Sequence, residues 1–143
     1  MDTRLYNSLR KSIIFKDVSE VNFNEIVNEI PFRILDYKKN EILFFEGDDC
    51  NSIGIVLDGE VEVNKGLTIG KKVNITKIKA GDMFAEAVVF SQYHKFPATI
   101  EASSDSKVLF ISRENIVKMC SKYPDFIEKF MGILSTKISI LNN

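Results

Sequence analysis

Ile53-Gly54-Ile55-Val56-Leu57-Asp58-Gly59-Glu60-Val61-Glu62-Val63-Asn64 is the stretch that decides the fold class. Two runs of aliphatic and β-branched residues flank Asp58-Gly59, and both residues of that pair tolerate positive φ. The segment therefore reads as a β-hairpin. After the turn, Val61 to Asn64 alternate apolar and polar, as a strand with one buried face should.

The same texture extends in both directions, from Phe32 to Ile111. Strand-like runs fall at 32–37, 42–45, 53–57, 60–65, 72–79, 98–102 and 107–112, with Gly, Asp and Asn between them. Short strands at this spacing predict a barrel or roll. Gly66 and Gly70 mark a further tight connection. Helical patterns lie on either side. Leu5, Leu9, Ile13 and Ile14 recur at helical spacing. Ser19 caps a second helix carrying the stripe Phe23, Ile26, Val27 and Ile30, which Pro31 stops. Ser112 caps a short helix running to Cys120, with Glu114 complementing its dipole. Pro124 then opens a longer helix reaching the end of the sequence. The expected organisation is an N-terminal helical cover over 1–31, a β roll that binds an effector over 32–112, and C-terminal helices over 113–143.

The last helix has two apolar faces. Ile127, Met131, Leu134, Ile138 and Leu141 follow a heptad-like 4-3-4-3 spacing. Phe126, Phe130, Ile133 and Ile140 line a second face. One face is expected to pack on the roll, and the other on the same helix of a second subunit, giving a homodimer.

Composition narrows the function. The 143 residues carry 19 basic and 20 acidic side chains, a net charge of -1, so no basic face is offered to nucleic acid. Cys50 and Cys120 form no CxxC pair and read as reduced thiols. No run approaches the roughly 18 apolar residues of a membrane span. The N-terminus has no apolar stretch resembling a signal peptide, so a cytoplasmic location is expected. His94 is the only histidine, in a polar loop, so no metal site is expected. The chain has no nucleophile motif, P-loop or paired His/carboxylate cluster, so neither catalytic residues nor a cofactor are expected.

Four segments in this order resemble the cyclic-nucleotide-binding domain superfamily, and more narrowly the sensor half of a Crp/Fnr-type bacterial transcription regulator. They are Asn40 to Asp48 (NEILFFEGD), Ile53 to Val61, a cassette made of Gly81-Asp82-Met83-Phe84-Ala85-Glu86 with Phe96-Pro97-Ala98-Thr99-Ile100-Glu101-Ala102 and counted as one, and Phe126 to Leu141. The resemblance implies a mainly β fold: a roll of the double-stranded β-helix or jelly-roll type, with N-terminal helices and a long C-terminal dimerisation helix. It implies that Glu86 meets a ribose hydroxyl and that backbone N–H groups from Ala85 through Glu86 and Ala87 to Val88 face a cyclic phosphate.

This chain departs from the family pattern where the phosphate would sit. The usual arginine is Phe96, Pro97 offers neither hydroxyl nor N–H, and the glycine before the glutamate is Ala85. Losing a buried arginine–phosphate contact costs on the order of 3–5 kcal/mol by analogy with a broken buried ion pair. Lys95 is adjacent, but neighbours on an extended chain point to opposite faces. The expected effector site is Phe84, Ala85, Glu86, Ala87, Val88, Lys95, Phe96, Pro97, Ala98 and Thr99, with Tyr93 and His94 nearby. The effector is expected to be a small organic molecule of unknown identity rather than cAMP. Two other readings fit these residues: a genuine cyclic-nucleotide-binding module, and a structural dimerisation module whose roll is filled by Phe84 and Phe96. DNA binding would come only through a helix-turn-helix domain not present in these residues. Ile140-Leu141-Asn142-Asn143 reads as mid-helix, so a segment of a longer regulator or a stand-alone module is expected.

Overall fold

The computed structural model describes the backbone of residues 1–66 and 72–142, and side chains of residues 1–65 and 76–137. In chain order the elements are α1 (Thr3–Arg10), α2 (Glu20–Glu29), β1 (Arg33–Tyr37), β2 (Ile42–Phe44), β3 (Ser52–Asp58), β4 (Glu60–Gly66), β5 (Lys72–Lys79), β6 (Met83–Phe84), β7 (Thr99–Ala102), β8 (Ser106–Ser112), α3 (Arg113–Lys122) and α4 (Pro124–Asn142). The strands form two four-stranded antiparallel sheets, ordered β1-β8-β3-β6 and β2-β7-β4-β5. This is the mainly β roll with flanking helices that the sequence implied.

The Asp58-Gly59 turn is not a hairpin. β3 pairs with β8 and β6, whereas β4 pairs with β5 and β7, so the chain changes sheets at this point. Gly59 alone takes positive φ, 83°, and Asp58 does not. A Cβ at residue 59 would lie 2.3 Å from the Asp105 carbonyl oxygen, so the corner requires glycine for space as well as for conformation. The Ser106 hydroxyl completes the corner, accepting from the Glu60 amide at 3.1 Å and donating to the Ser104 carbonyl at 2.8 Å. The consecutive-strand hairpin is β4 with β5. Gly70, expected in its turn, lies outside the described residues.

β3 is buried at every position from Ile53 to Leu57, which explains its unbroken apolar run. The roll interior covers one of its faces and α1 packs on the other. β4 starts with the expected alternation and loses it at a register shift between Val63 and Asn64. Asn64 is consequently buried, and its Nδ2 donates to Glu101 Oε1 at 2.9 Å and Glu62 Oε1 at 3.1 Å. Burial is tolerated because the amide has acceptors.

α1 packs on β3, and the start of α2 is tied to α4. α1 ends at Arg10, earlier than the Leu5-to-Ile14 periodicity suggested. The Arg10 guanidinium donates to the carbonyls of Phe15 at 2.6 Å and Val18 at 2.7 Å, and so holds the following turns in place. Ser19 caps α2 by accepting from the Asn22 amide. Asp125, at the start of α4, accepts from the Ser19 amide at 3.0 Å and from Asn22 Nδ2 at 2.9 Å. Phe15 also packs on Phe126, so the cover and α4 share one core.

Gly54 of β3 lies under the Phe84 ring, where an added Cβ would be 2.2 Å from Cζ. Gly54→Ala should therefore destabilise the chain by about 1–3 kcal/mol, since a buried ring must move. A urea unfolding midpoint equal to that of the native chain would show that Phe84 is not confined there.

Candidate functional site

The cassette starts at Gly81, whose φ of 94° reverses the chain after β5. The Gly81 amide donates to the Val56 carbonyl and its own carbonyl accepts from the Ile13 amide, both at 2.8 Å. The turn is thus clamped between β3 and the N-terminal cover. β6 then pairs briefly with β3. Ala85 has a φ of 71°, the conformation of the glycine it replaces. Its carbonyl accepts from the amides of both Val88 (3.1 Å) and Val89 (3.0 Å). Residues 86–90 form turns and no helix, and the Val88 amide, expected to face a ligand, is spent inside them.

Phe96 is held through its main chain. Its amide donates to the Asp48 carbonyl at 2.9 Å and its carbonyl accepts from the Gly47 amide at 2.8 Å. Its ring stacks on Phe44 with centroids 4.2 Å apart and planes 15° apart. Phe84 and Phe110 meet Phe44 edge-on. These four rings fill one part of the roll interior.

Beside them a cleft of about 370 Å³ remains between the cassette, the second sheet and α4. Phe84, Ala85, Glu86, Val88, Phe96, Pro97 and Ala98 of the expected site line it. Ala87, Lys95 and Thr99 do not. Ala87 is exposed. Lys95 turns away, as the alternation of an extended chain requires, and its Nζ donates to Asp49 Oδ1 at 2.6 Å. That hydrogen bond holds the Asp49 carboxyl below its usual range. The Thr99 hydroxyl accepts from the Glu46 amide. Tyr93 and His94 are exposed.

Lys137 of α4 also lines the cleft, and sequence reasoning missed it. Its Nζ donates to Glu86 Oε1. Glu86 is only 7% exposed, and among the described residues its Oε2 has no hydrogen-bond partner. Lys137 continues the inward stripe of Phe126, Phe130 and Ile133 at the next helical step, and a lysine on an apolar stripe was the available signal. The remaining walls are mostly apolar, including Val63, Ile78 and Ile100, with the Thr76 hydroxyl as an exception. Lys77 reaches the rim, 3.8 Å from Glu60. The Asp82 carboxylate accepts from the Met83 amide.

A larger groove of about 760 Å³ runs between residues 13–17 and α4. It is crossed by the Lys129–Asp17 pair and shares Lys137 with the smaller cleft. The smaller cleft is the candidate site, because the carboxylate that lines it, Glu86, is buried. On the opposite side of α4, Ile127 and Met131 are 38% and 47% exposed and Leu134 is half-buried. They border an apolar groove of about 340 Å³ that includes Phe90, Val117 and Cys120. The side chains of Ile138 and Leu141, the rest of the expected seam, lie outside the described residues. Among the described residues no cluster of His, Cys, Asp and Glu could hold a metal ion, and no helix is long and apolar enough to cross a membrane.

Residues 34–123 match the cyclic nucleotide-binding domain family. The chain is similar to a CRP-like cAMP-activated global transcriptional regulator of Mycobacterium tuberculosis, 22% identical over 111 residues, covering 76% of this chain and 48% of that protein. It is also similar to an anaerobic regulatory protein of Bacillus subtilis, 23% identical over 101 residues, covering 71% of this chain and 42% of the other. It thus spans about half the length of these curated relatives. Among solved structures, the catabolite activator protein of Thermus thermophilus superposes with a TM-score of 0.78 at 17% identity, covering 92% of this chain and 60% of that one. The sensor domain of the transcriptional regulator DNR from Pseudomonas aeruginosa gives 0.76 at 18% identity, covering 92% and 87%. At these identities the structural likeness is one of fold.

Ala85 keeps a glycine conformation at a cost of about 1–2 kcal/mol. Ala85→Gly should raise stability by about 1 kcal/mol, measured by urea denaturation. A loss of stability would mean that the Ala85 methyl contributes more in packing than its backbone conformation costs.

Proposed function

The chain belongs to the cyclic nucleotide-binding domain family, and from that premise we propose that it is the effector-sensing domain of a Crp/Fnr-type transcription regulator whose ligand is not a cyclic nucleotide. One observation carries the second half of this reading. Phe96 stands where the family pattern has a cation for the phosphate, and it is buried and stacked on Phe44 with its backbone tied to Gly47 and Asp48. Lys77 and Lys137, the lysines lining the cleft, are already opposite carboxylates. A phosphate entering here would lose its water without meeting a side-chain cation free of a carboxylate.

The ligand would occupy the cleft against Glu86, Phe96 and Ala98. Glu86 is bonded to Lys137, so the cassette and α4 are mechanically linked. A ligand that prefers one arrangement of this link shifts the position of α4. On this reading α4 pairs with its counterpart in a second copy along Ile127, Met131 and Leu134, continuing toward Ile138 and Leu141. DNA recognition would fall to a helix-turn-helix domain elsewhere in the full regulator.

The four-ring cluster of Phe44, Phe84, Phe96 and Phe110 favours one competing reading, a dimerisation module that takes no ligand. Thermal-shift titration separates the two. A ligand at a hundred times its dissociation constant adds about 2.7 kcal/mol of stability. cAMP and cGMP should leave the melting temperature unchanged, while a small aromatic compound raises it. A shift with either cyclic nucleotide would overturn the reading of Phe96, and silence from every compound would favour the ligand-free module. For the dimer, Met131→Glu should convert the native species to monomers in light scattering coupled to size-exclusion chromatography. An unchanged dimer mass would remove α4 from the interface.

A further inference from the structure

Among the described residues, the charged side chains lining the cleft are Lys77, Asp82, Glu86 and Lys137. Lys137 donates to Glu86, and Lys77 lies 3.8 Å from Glu60 at the rim. Asp82 is different: among the described residues no cation pairs with its carboxylate. The backbone of Asp82 is fixed on both sides. Its amide donates to the Lys79 carbonyl and its carbonyl accepts from the Val56 amide, each at 3.0 Å. Its Oδ1 accepts from the Met83 amide at 2.7 Å, which orients the side chain and leaves Oδ2 for a ligand. With the two pairs cancelling, the charge left at the cleft is a single negative one.

We infer that the cleft selects organic monocations, an apolar body carrying one ammonium-type group, and that Asp82 is the residue conferring this selectivity. The inference deepens the ligand-sensing reading above and rests on it. Asp82 is half-buried, so an ammonium group beside it keeps part of its hydration while the apolar body enters between Val63, Phe96 and Ile100. It thereby escapes most of the penalty that a fully buried ion suffers. An anion meets Asp82 as a like charge and finds both lysines already opposite carboxylates. The Thr76 hydroxyl both donates and accepts, so it does not discriminate by charge. Glu86 stays with Lys137 and takes no part in the selection.

Three probes with one body and different charge test the inference: 2-phenylethylamine, 2-phenylethanol and phenylacetate. They are titrated by calorimetry and thermal shift into the native chain, beside cAMP and cGMP. 2-Phenylethylamine should bind about fivefold more tightly than 2-phenylethanol, and phenylacetate should be the weakest. Raising the salt from about 0.01 M to about 1 M should remove the amine's advantage and leave the alcohol unchanged, since a half-exposed charge is screened. Asp82→Asn keeps an acceptor for the Met83 amide and should bring the amine level with the alcohol. An amine preference that persists in Asp82→Asn, or that salt does not reduce, would overturn the assignment of Asp82. 2-Phenylethanol or phenylacetate equalling or surpassing the amine in the native chain would overturn the cation class and leave the sensing function standing. A shift with cAMP or cGMP, or none with any compound, would overturn the proposed function together with this inference.

Discussion

The roll closes because residue 54 has no side chain. The bare Gly54 backbone on β3 lets the Phe84 ring lie flat against it, and Phe84 then reaches Phe44 and Phe110. Phe44 belongs to one sheet, and Phe84 and Phe110 belong to the other. These rings therefore join the two layers, each aromatic pair adding about 0.5–1.5 kcal/mol beyond the area it buries. Phe96, stacked on Phe44, extends the same cluster toward the cassette. The residue standing where a phosphate cation would be expected has thus become part of what holds the sheets together. An arginine there would have to break this stack or bury its charge among phenyl rings.

Much of this was legible in the sequence, and the failures have identifiable causes. β-branched runs and turn residues located every strand except β6, whose two residues are too few to show a period. Asp58-Gly59 was misread because a local turn preference carries no information about which sheet the next strand joins. Only the close approach of Asp105 and Ser106 to Gly59 reveals the corner. Asn40 stands where the family pattern has glycine and is a residue type that tolerates the left-handed region, so its φ of 75° could be assigned. Ala85 could not, since alanine rarely adopts a φ of 71°, and only the family resemblance hinted at a glycine position. The outward turn of Lys95 follows from strand alternation alone. Lys137 is not picked out by the apolar periodicity of α4, because it is the charged residue on that stripe. The informative residue was the one interrupting the apolar positions.

That interruption is costly in stability terms. An ion pair with one member almost fully buried recovers little of its desolvation penalty, and an apolar residue at 137 would pack against the cleft without that cost. The Lys137 side chain is 35% exposed, so solvent screens the pair and its net contribution is well below the ~3–5 kcal/mol lost on breaking a fully buried one. The pair is thus poorly explained by stability. It is better explained by what it connects, a cassette on the roll and a helix whose other face is exposed.

The anchoring of α4 is uneven along its length, which bears on how a ligand could act. Its first turns are fixed: Asp125 is bonded to the start of α2, Phe126 and Phe130 are buried, and Lys129 pairs with Asp17. Beyond Ile133 the described polar tie to the roll is Lys137 with Glu86. On the proposed reading, a ligand drawing on Glu86 would act on the distal half of the helix while the contacts of Asp125, Phe126 and Lys129 hold the proximal half. Displacement would then be a bend or rotation about the Phe130 region that grows toward the C-terminal end of α4. On the proposed reading, that is the direction in which a DNA-binding domain would have to be moved.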